Sequence, residues 1–178
     1  MIQCIVTGIL LGGLYSMIGI GMSLVFGIMG LTNLAHGDLM ILGTYISLVM
    51  TRALGCNLIV SVIVSVVVMC VLGFVIQQFL VNKVMDKGEA PALLVTFGLS
   101  IFLSNLMLKI FSADNQSINN SLSSKNVITT DVLSISASYL TSFIIACVII
   151  IGLSLVMQKT NFGRAIRATS DDTMAAEL

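Results

Sequence analysis

Residues able to do chemistry are scarce in this chain, and they fall in two places. The first is Asn33-Leu34-Ala35-His36-Gly37-Asp38, which holds the only histidine among 178 residues. A metal or hydrolytic centre would need further ligands or a nucleophile beside that imidazole, and the sequence offers none. Structural roles suit these side chains better. Asp38 is placed to cap a helix beginning at Leu39, and His36 to donate to a carbonyl of the turn that Gly37 permits. Thr96 and Ser100, in Thr96-Phe97-Gly98-Leu99-Ser100, add hydroxyls to an apolar run without the partners of a serine nucleophile. The four cysteines, Cys4, Cys56, Cys70 and Cys147, form no CxxC or Cys/His cluster. The chain therefore reads as no enzyme, with neither cofactor nor metal.

The second place is the tail. Asn161-Phe162-Gly163-Arg164-Ala165-Ile166-Arg167-Ala168 is amphipathic, with Phe162 and Ile166 four apart and Arg167 able to pair with Asp171 at the same spacing. Periodicity leaves two readings open: a juxtamembrane helix anchored by its arginines, or a docking helix for a cytosolic partner.

The elements that must position these residues are apolar. Of the residues, 57% are hydrophobic and 9% charged, against roughly 25% charged in soluble domains, and the mean hydropathy is +1.10. Eight basic and eight acidic side chains cancel, so charge points to no nucleic-acid partner. Residues 58–81 carry no charge at all, enough helix to cross a bilayer core. Comparable apolar stretches cover residues 2–28, 39–50, 92–111 and 137–157, predicting an all-α bundle of about five membrane spans. The stretch at 39–50 is too short to cross alone. It must recruit residues 31–38 or enter the membrane part-way, buried in protein. No cationic start precedes residues 2–28, so this stretch reads as a retained span rather than a signal peptide. Along it Gly8, Gly12, Ser16, Gly19, Ser23 and Gly27 step by three or four, a stripe suited to close helix packing, although glycine is common in membrane helices anyway.

Five spans leave the termini on opposite faces. Lys83, Lys87, Lys159, Arg164 and Arg167 then gather on one side against Arg52, Lys109 and Lys125 on the other. The excess of basic residues predicts N-terminus outside and C-terminus cytoplasmic. Residues 112–131 form the one long polar connection, on the outer face, and β-branching in 127–135 allows a short strand or an interfacial segment. No charged residue falls in the middle of a clear span, which argues against a proton- or ion-driven carrier.

Three motifs in order resemble the branched-chain amino acid ABC transporter permeases. They are Gly12-Gly13-Leu14-Tyr15-Ser16 through Gly19–Gly30 to Asn33–Asp38, the Thr96–Phe102 run, and Gly163–Ala168 with Asp171-Asp172 behind it. The resemblance covers essentially the whole chain and implies one transmembrane permease domain, residues 1–178, in a bacterial inner membrane. It implies a second permease subunit, two cytosolic ATPase subunits and an external binding protein that delivers Leu, Ile or Val. Asn33, His36, Asp38, Thr96 and Ser100 would line the substrate pathway, and Gly163, Arg164, Arg167 and Asp171 would couple to the ATPase. Permeases for urea and other small polar solutes share these motifs, so the solute stays open. Family members are longer, which implies an N-terminal portion cut within the coupling segment and leaves open a truncated, nonfunctional permease fragment.

Overall fold

In the computed structural model the described residues are 1–85, 87–114, 116, 126–130, 133–161, 163 and 164. They divide into two compact units, residues 1–30 with 119–178, and residues 31–118.

The first unit holds α1 (Ile2–Met29) and, after the polar connection, a small hairpin and a long helix. α1 ends at Gly30, whose left-handed backbone (φ 63°) lets its N–H close onto the Phe26 carbonyl at 2.8 Å. The α6 helix (Ala137–Lys159) packs along α1. Between them in sequence, β1 (Asn126–Thr130) pairs antiparallel with β2 (Leu133–Ser136), Thr130 opposite Leu133. The β-branched stretch thus contributes two strands, the one sheet among the described residues of an otherwise helical fold. Helix α6 meets α1 where Gly13 offers no side chain: a Cβ built there would strike the ring of Phe143.

The second unit carries α2 (His36–Ala53), α3 (Leu58–Ile76), a π turn (Gln77–Val81), α4 (Asn82–Met85) and α5 (Glu89–Phe111). Helix α3 runs through the π turn into α4 as one span, so the helix reaches Met85, beyond the uncharged run that ends at residue 81. Gly88, at φ 100°, turns the chain into α5, and Pro91 sits in the first turn of that helix, where its missing N–H costs nothing.

Packing on α3 is inverted relative to a helix of a water-soluble protein. On α3 the buried side chains are Ser61 and Ser65, while Ile59, Ile63, Val67, Val71 and Phe74 face outward, Phe74 with 69% of its surface free. Ser65 Oγ donates to the Gly43 carbonyl of α2 at 2.6 Å, and Thr51 Oγ1 donates to Ser61 Oγ at 2.9 Å. Small and hydroxylic residues bring α2 and α3 together, and large hydrocarbon is left for lipid. Four helical stretches are long and apolar enough to cross a membrane: Gln3–Gly27, Leu58–Met85, Glu89–Phe111 and Ala137–Lys159. The chain is a multi-pass membrane protein. The 18-residue α2 is not among these four; of the preceding stretch it recruits only His36, Gly37 and Asp38.

Candidate functional site

The residues singled out at the start of α2 converge on the middle of α5. Asn33 makes the turn into α2: its Oδ1 accepts the Ala35 N–H at 3.0 Å, and its carbonyl accepts the His36 N–H at 3.2 Å. The turn therefore rests on Asn33, whereas His36 and Gly37 already belong to the helix. The preceding backbone leans on α5, the Leu34 N–H reaching Thr96 Oγ1 at 3.4 Å. Thr96 is 4% exposed and donates its own proton to the Leu93 carbonyl at 3.1 Å. Ala35, fully buried, lets this approach happen.

Asp38 does not cap the helix. The cap position is Ala35, with no side-chain bond, and Asp38 lies inside the first turn. Its carboxylate instead accepts hydrogen bonds from α5: Ser100 Oγ on one oxygen and Ser104 Oγ, at 2.7 Å, on the other. Two hydroxyls on a carboxylate offset part of its lost hydration, and the first turn of α2 favours negative charge there. Among the described residues no cation pairs with it. His36 makes no bond to a carbonyl either: its Nε2 is buried and has no hydrogen-bond partner.

Ser100 is the central residue of the 23-residue α5. Asp38 thus lies beside the midpoint of a membrane-length helix, although in sequence it stands at the edge of an apolar run. No charge falls inside a clear span, since Asp38 is the third residue of α2; what the fold adds is the neighbour it meets. Ser104 escaped notice too, but its i,i+4 spacing from Ser100 puts both hydroxyls on one face of α5, a signal present in the sequence.

Elsewhere the singled-out residues are dispersed. A Cβ at Gly8, Gly12, Gly19 or Gly27 meets nothing within 4 Å, and Ser16 turns its hydroxyl onto the Gly12 carbonyl at 2.8 Å. Ser23 is exposed, and the glycine against which α6 packs is Gly13, outside that stripe. At the end of α6, Thr160 Oγ1 donates to the Val156 carbonyl at 2.6 Å and accepts the Gly163 N–H at 3.1 Å. Gly163 is buried there against the Met157 backbone, and Arg164 donates to Asn161 Oδ1. Phe162, Ile166, Arg167 and Asp171 lie outside the described residues.

Outward-facing hydrocarbon, helix seams built from serine and four membrane-length helices define a multi-pass membrane protein. The chain belongs to the family described as the branched-chain amino acid transport system permease component, which it matches over residues 4–178. It is 25% identical over 188 aligned positions to the high-affinity branched-chain amino acid transport system permease protein BraD of Pseudomonas aeruginosa. It is 26% identical, over the same aligned length, to the permease proteins LivH of Escherichia coli and of Salmonella typhimurium. Each comparison takes in 99% of this chain and 61% of the relative, so the chain spans about three fifths of the length of these proteins. No solved structure matches it.

Proposed function

We propose that this chain is a membrane-spanning permease subunit of an ATP-driven importer of branched-chain amino acids. The observation that carries this reading is the family match across residues 4–178. In this reading an external binding protein delivers the solute, a second permease subunit completes the passage, and two cytosolic ATPase subunits drive it. Asn33, His36, Asp38, Thr96 and Ser100 line the passage. Gly163, Arg164, Arg167 and Asp171 meet the ATPase on the cytoplasmic face, the N-terminus lies outside, and the Gly8–Gly27 stripe packs on another membrane helix. The few charges in the spans accord with energy supplied as ATP outside the bilayer rather than by an ion relay within it.

The test is uptake of radiolabelled leucine in cells whose copy of the gene is deleted and then restored. Restoration is expected to return ATP-dependent uptake. Uptake that ignores the deletion, or that persists in vesicles stripped of ATPase subunits, would remove this reading. Competition by excess urea distinguishes the small-polar-solute permeases that share the motifs.

A further inference from the structure

Helices α2 and α5 run side by side in the same direction, and their contacts form a ladder. Leu34 meets Thr96, and Asp38 meets Ser100 and Ser104. Further along, the Tyr45 ring stacks on Phe111 with centroids 4.1 Å apart, and Arg52 donates to Gln116 Oε1 at 2.6 Å. Ser100 is the middle residue of α5, so α2 begins half-way along that helix and finishes beyond its end. From Ser100 to Phe111 is about 17 Å of helix, close to half of a hydrocarbon core roughly 30 Å thick. The other neighbour of α2 gives the same depth. Thr51 pairs with Ser61 and Gly43 with Ser65, and this antiparallel register, continued, sets Asp38 level with residues 70–74, the middle of the Leu58–Met85 stretch. By both measures α2 starts at mid-bilayer and serves only the half of the membrane toward Phe111.

What carries the chain into the other half is not helix. Residues 31–35 are irregular, and Leu34 already lies level with Thr96, one turn from Ser100 toward the start of α5. Asn33 takes up the N–H groups of Ala35 and His36. Among the described residues nothing takes up those of Thr32, Asn33 or Gly37, and the Thr32 hydroxyl and the buried His36 Nε2 have no partner either. Unpaired peptide groups do not face hydrocarbon: irregular backbone at membrane depth occurs inside protein or on the wall of a water-filled cavity. Two observations favour water. Leu34 is 46% exposed, so its own unit does not enclose the bend. The Asp38 carboxylate holds serine hydroxyls at only two of its roughly four acceptor positions, and a charge at this depth needs further donors. We infer that this span is broken at mid-bilayer, helix on one side and irregular chain on the other, and that residues 31–35 wall a water-filled recess reaching that depth. The inference rests on the import reading only in making the recess part of a solute passage; the water itself is tested without transport.

The experiment uses the complete transporter in its own membranes, with the four native cysteines of this chain replaced. Leu34→Cys is compared with Val75→Cys, which the α2–α3 register sets at the same depth but on an outward face of α3, 44% exposed. A permanently charged methanethiosulfonate attacks the thiolate, a species that apolar surroundings suppress. Leu34→Cys is therefore expected to react on the order of a hundredfold faster than Val75→Cys. Inertness at both positions, as when another protein surface seals the bend, would overturn the inference, and so would equal reaction at both. If Leu34→Cys fails to reach the membrane, Thr32→Cys takes its place with the same expectation, since two residues of extended chain displace it by no more than about 7 Å. Leucine uptake is measured in parallel on the wild-type membranes. Uptake with an unreactive position 34 rejects the recess and leaves the import reading standing, whereas a reactive position 34 without uptake keeps the recess and rejects the import reading.

Discussion

Two of the described glycines, Gly13 and Gly163, are required by what lies against them, and they differ in how much the neighbour can give. A Cβ at Gly163 falls on the backbone of Met157, which cannot turn aside. Gly163→Ala is therefore expected to open the turn that Thr160 holds at the end of α6. On the import reading it lowers leucine uptake severalfold while leaving membrane abundance unchanged, measured by transport assay beside an immunoblot. Gly13 faces the ring of Phe143, a side chain that can swing. Gly13→Ala gains about 1 kcal/mol of helix propensity but overpacks the seam, which costs about 1–3 kcal/mol. The clash wins, so the thermal midpoint of the detergent-solubilised protein should fall, and a compensating Phe143→Leu should recover part of the loss. A double-mutant cycle over these two positions measures the coupling. The sequence singled out a regular stripe beginning at Gly8 and passed over Gly13, because a stripe records spacing along one helix and says nothing about which face a distant helix will choose.

At the scale of elements, the α2–α3 pair shows how hydroxyls take the place of hydrocarbon in a membrane seam. Ser61 is fully buried, donates to the Asn57 carbonyl at 3.2 Å and accepts from Thr51, while Ser65 reaches across to Gly43. Removing one such bond by Ser65→Ala should cost only about 0.6 kcal/mol, near the average for interhelical bonds in lipid. Ser65→Leu should cost far more, because the Gly43 backbone and the Met69 side chain already fill the space. Unfolding of the purified protein in mixed micelles, followed by circular dichroism, separates the two outcomes; equal effects would show that the hydrogen bond, not the close approach, holds the seam. Just beyond, Gln77 Nε2 donates to Asn82 Oδ1 at 2.8 Å and Asn82 Nδ2 to Gln78 Oε1 at 3.2 Å, across and beside the π turn. These amides gather where α3 stops being purely apolar, and they carry the helix on to Met85. The apolar run ended at Val81, so composition marked the end of lipid contact and not the end of the helix.

For the whole molecule, the testable quantity is its orientation across the bilayer. If α2 crosses as a fifth span, the balance of Lys and Arg predicts residues 112–116 outside and residue 87 inside. In a cysteine-free background, Ser112→Cys is expected to react with a membrane-impermeant maleimide in intact cells, and Lys87→Cys only after the membrane is opened. The reverse pattern would invert the topology and set Arg164 on the wrong side for an ATPase. Arg164→Glu with Arg167→Glu is expected, on the import reading, to abolish ATP-driven uptake with insertion retained, as judged by the same maleimide pattern. An unchanged uptake rate would detach the basic tail from energy coupling.

Fold class, the apolar cores of the spans, and Asp38, Thr96 and Ser100 of the α2–α5 cluster were legible in the amino-acid order, though Ser104 was passed over; exclusion of charge over membrane-length stretches is a property of the chain alone. The serine-lined face of α3 was written there as well, at i,i+4 spacing. What the order of residues left open was depth and partnership. Asp38 reads as the edge of a short apolar run, and only the folded unit sets it beside the midpoint of α5 and turns it from a helix cap into an acceptor for Ser100 and Ser104. The reason is geometric: a helix's register against its neighbour depends on contacts between residues more than sixty positions apart, and local periodicity carries no information about such pairs.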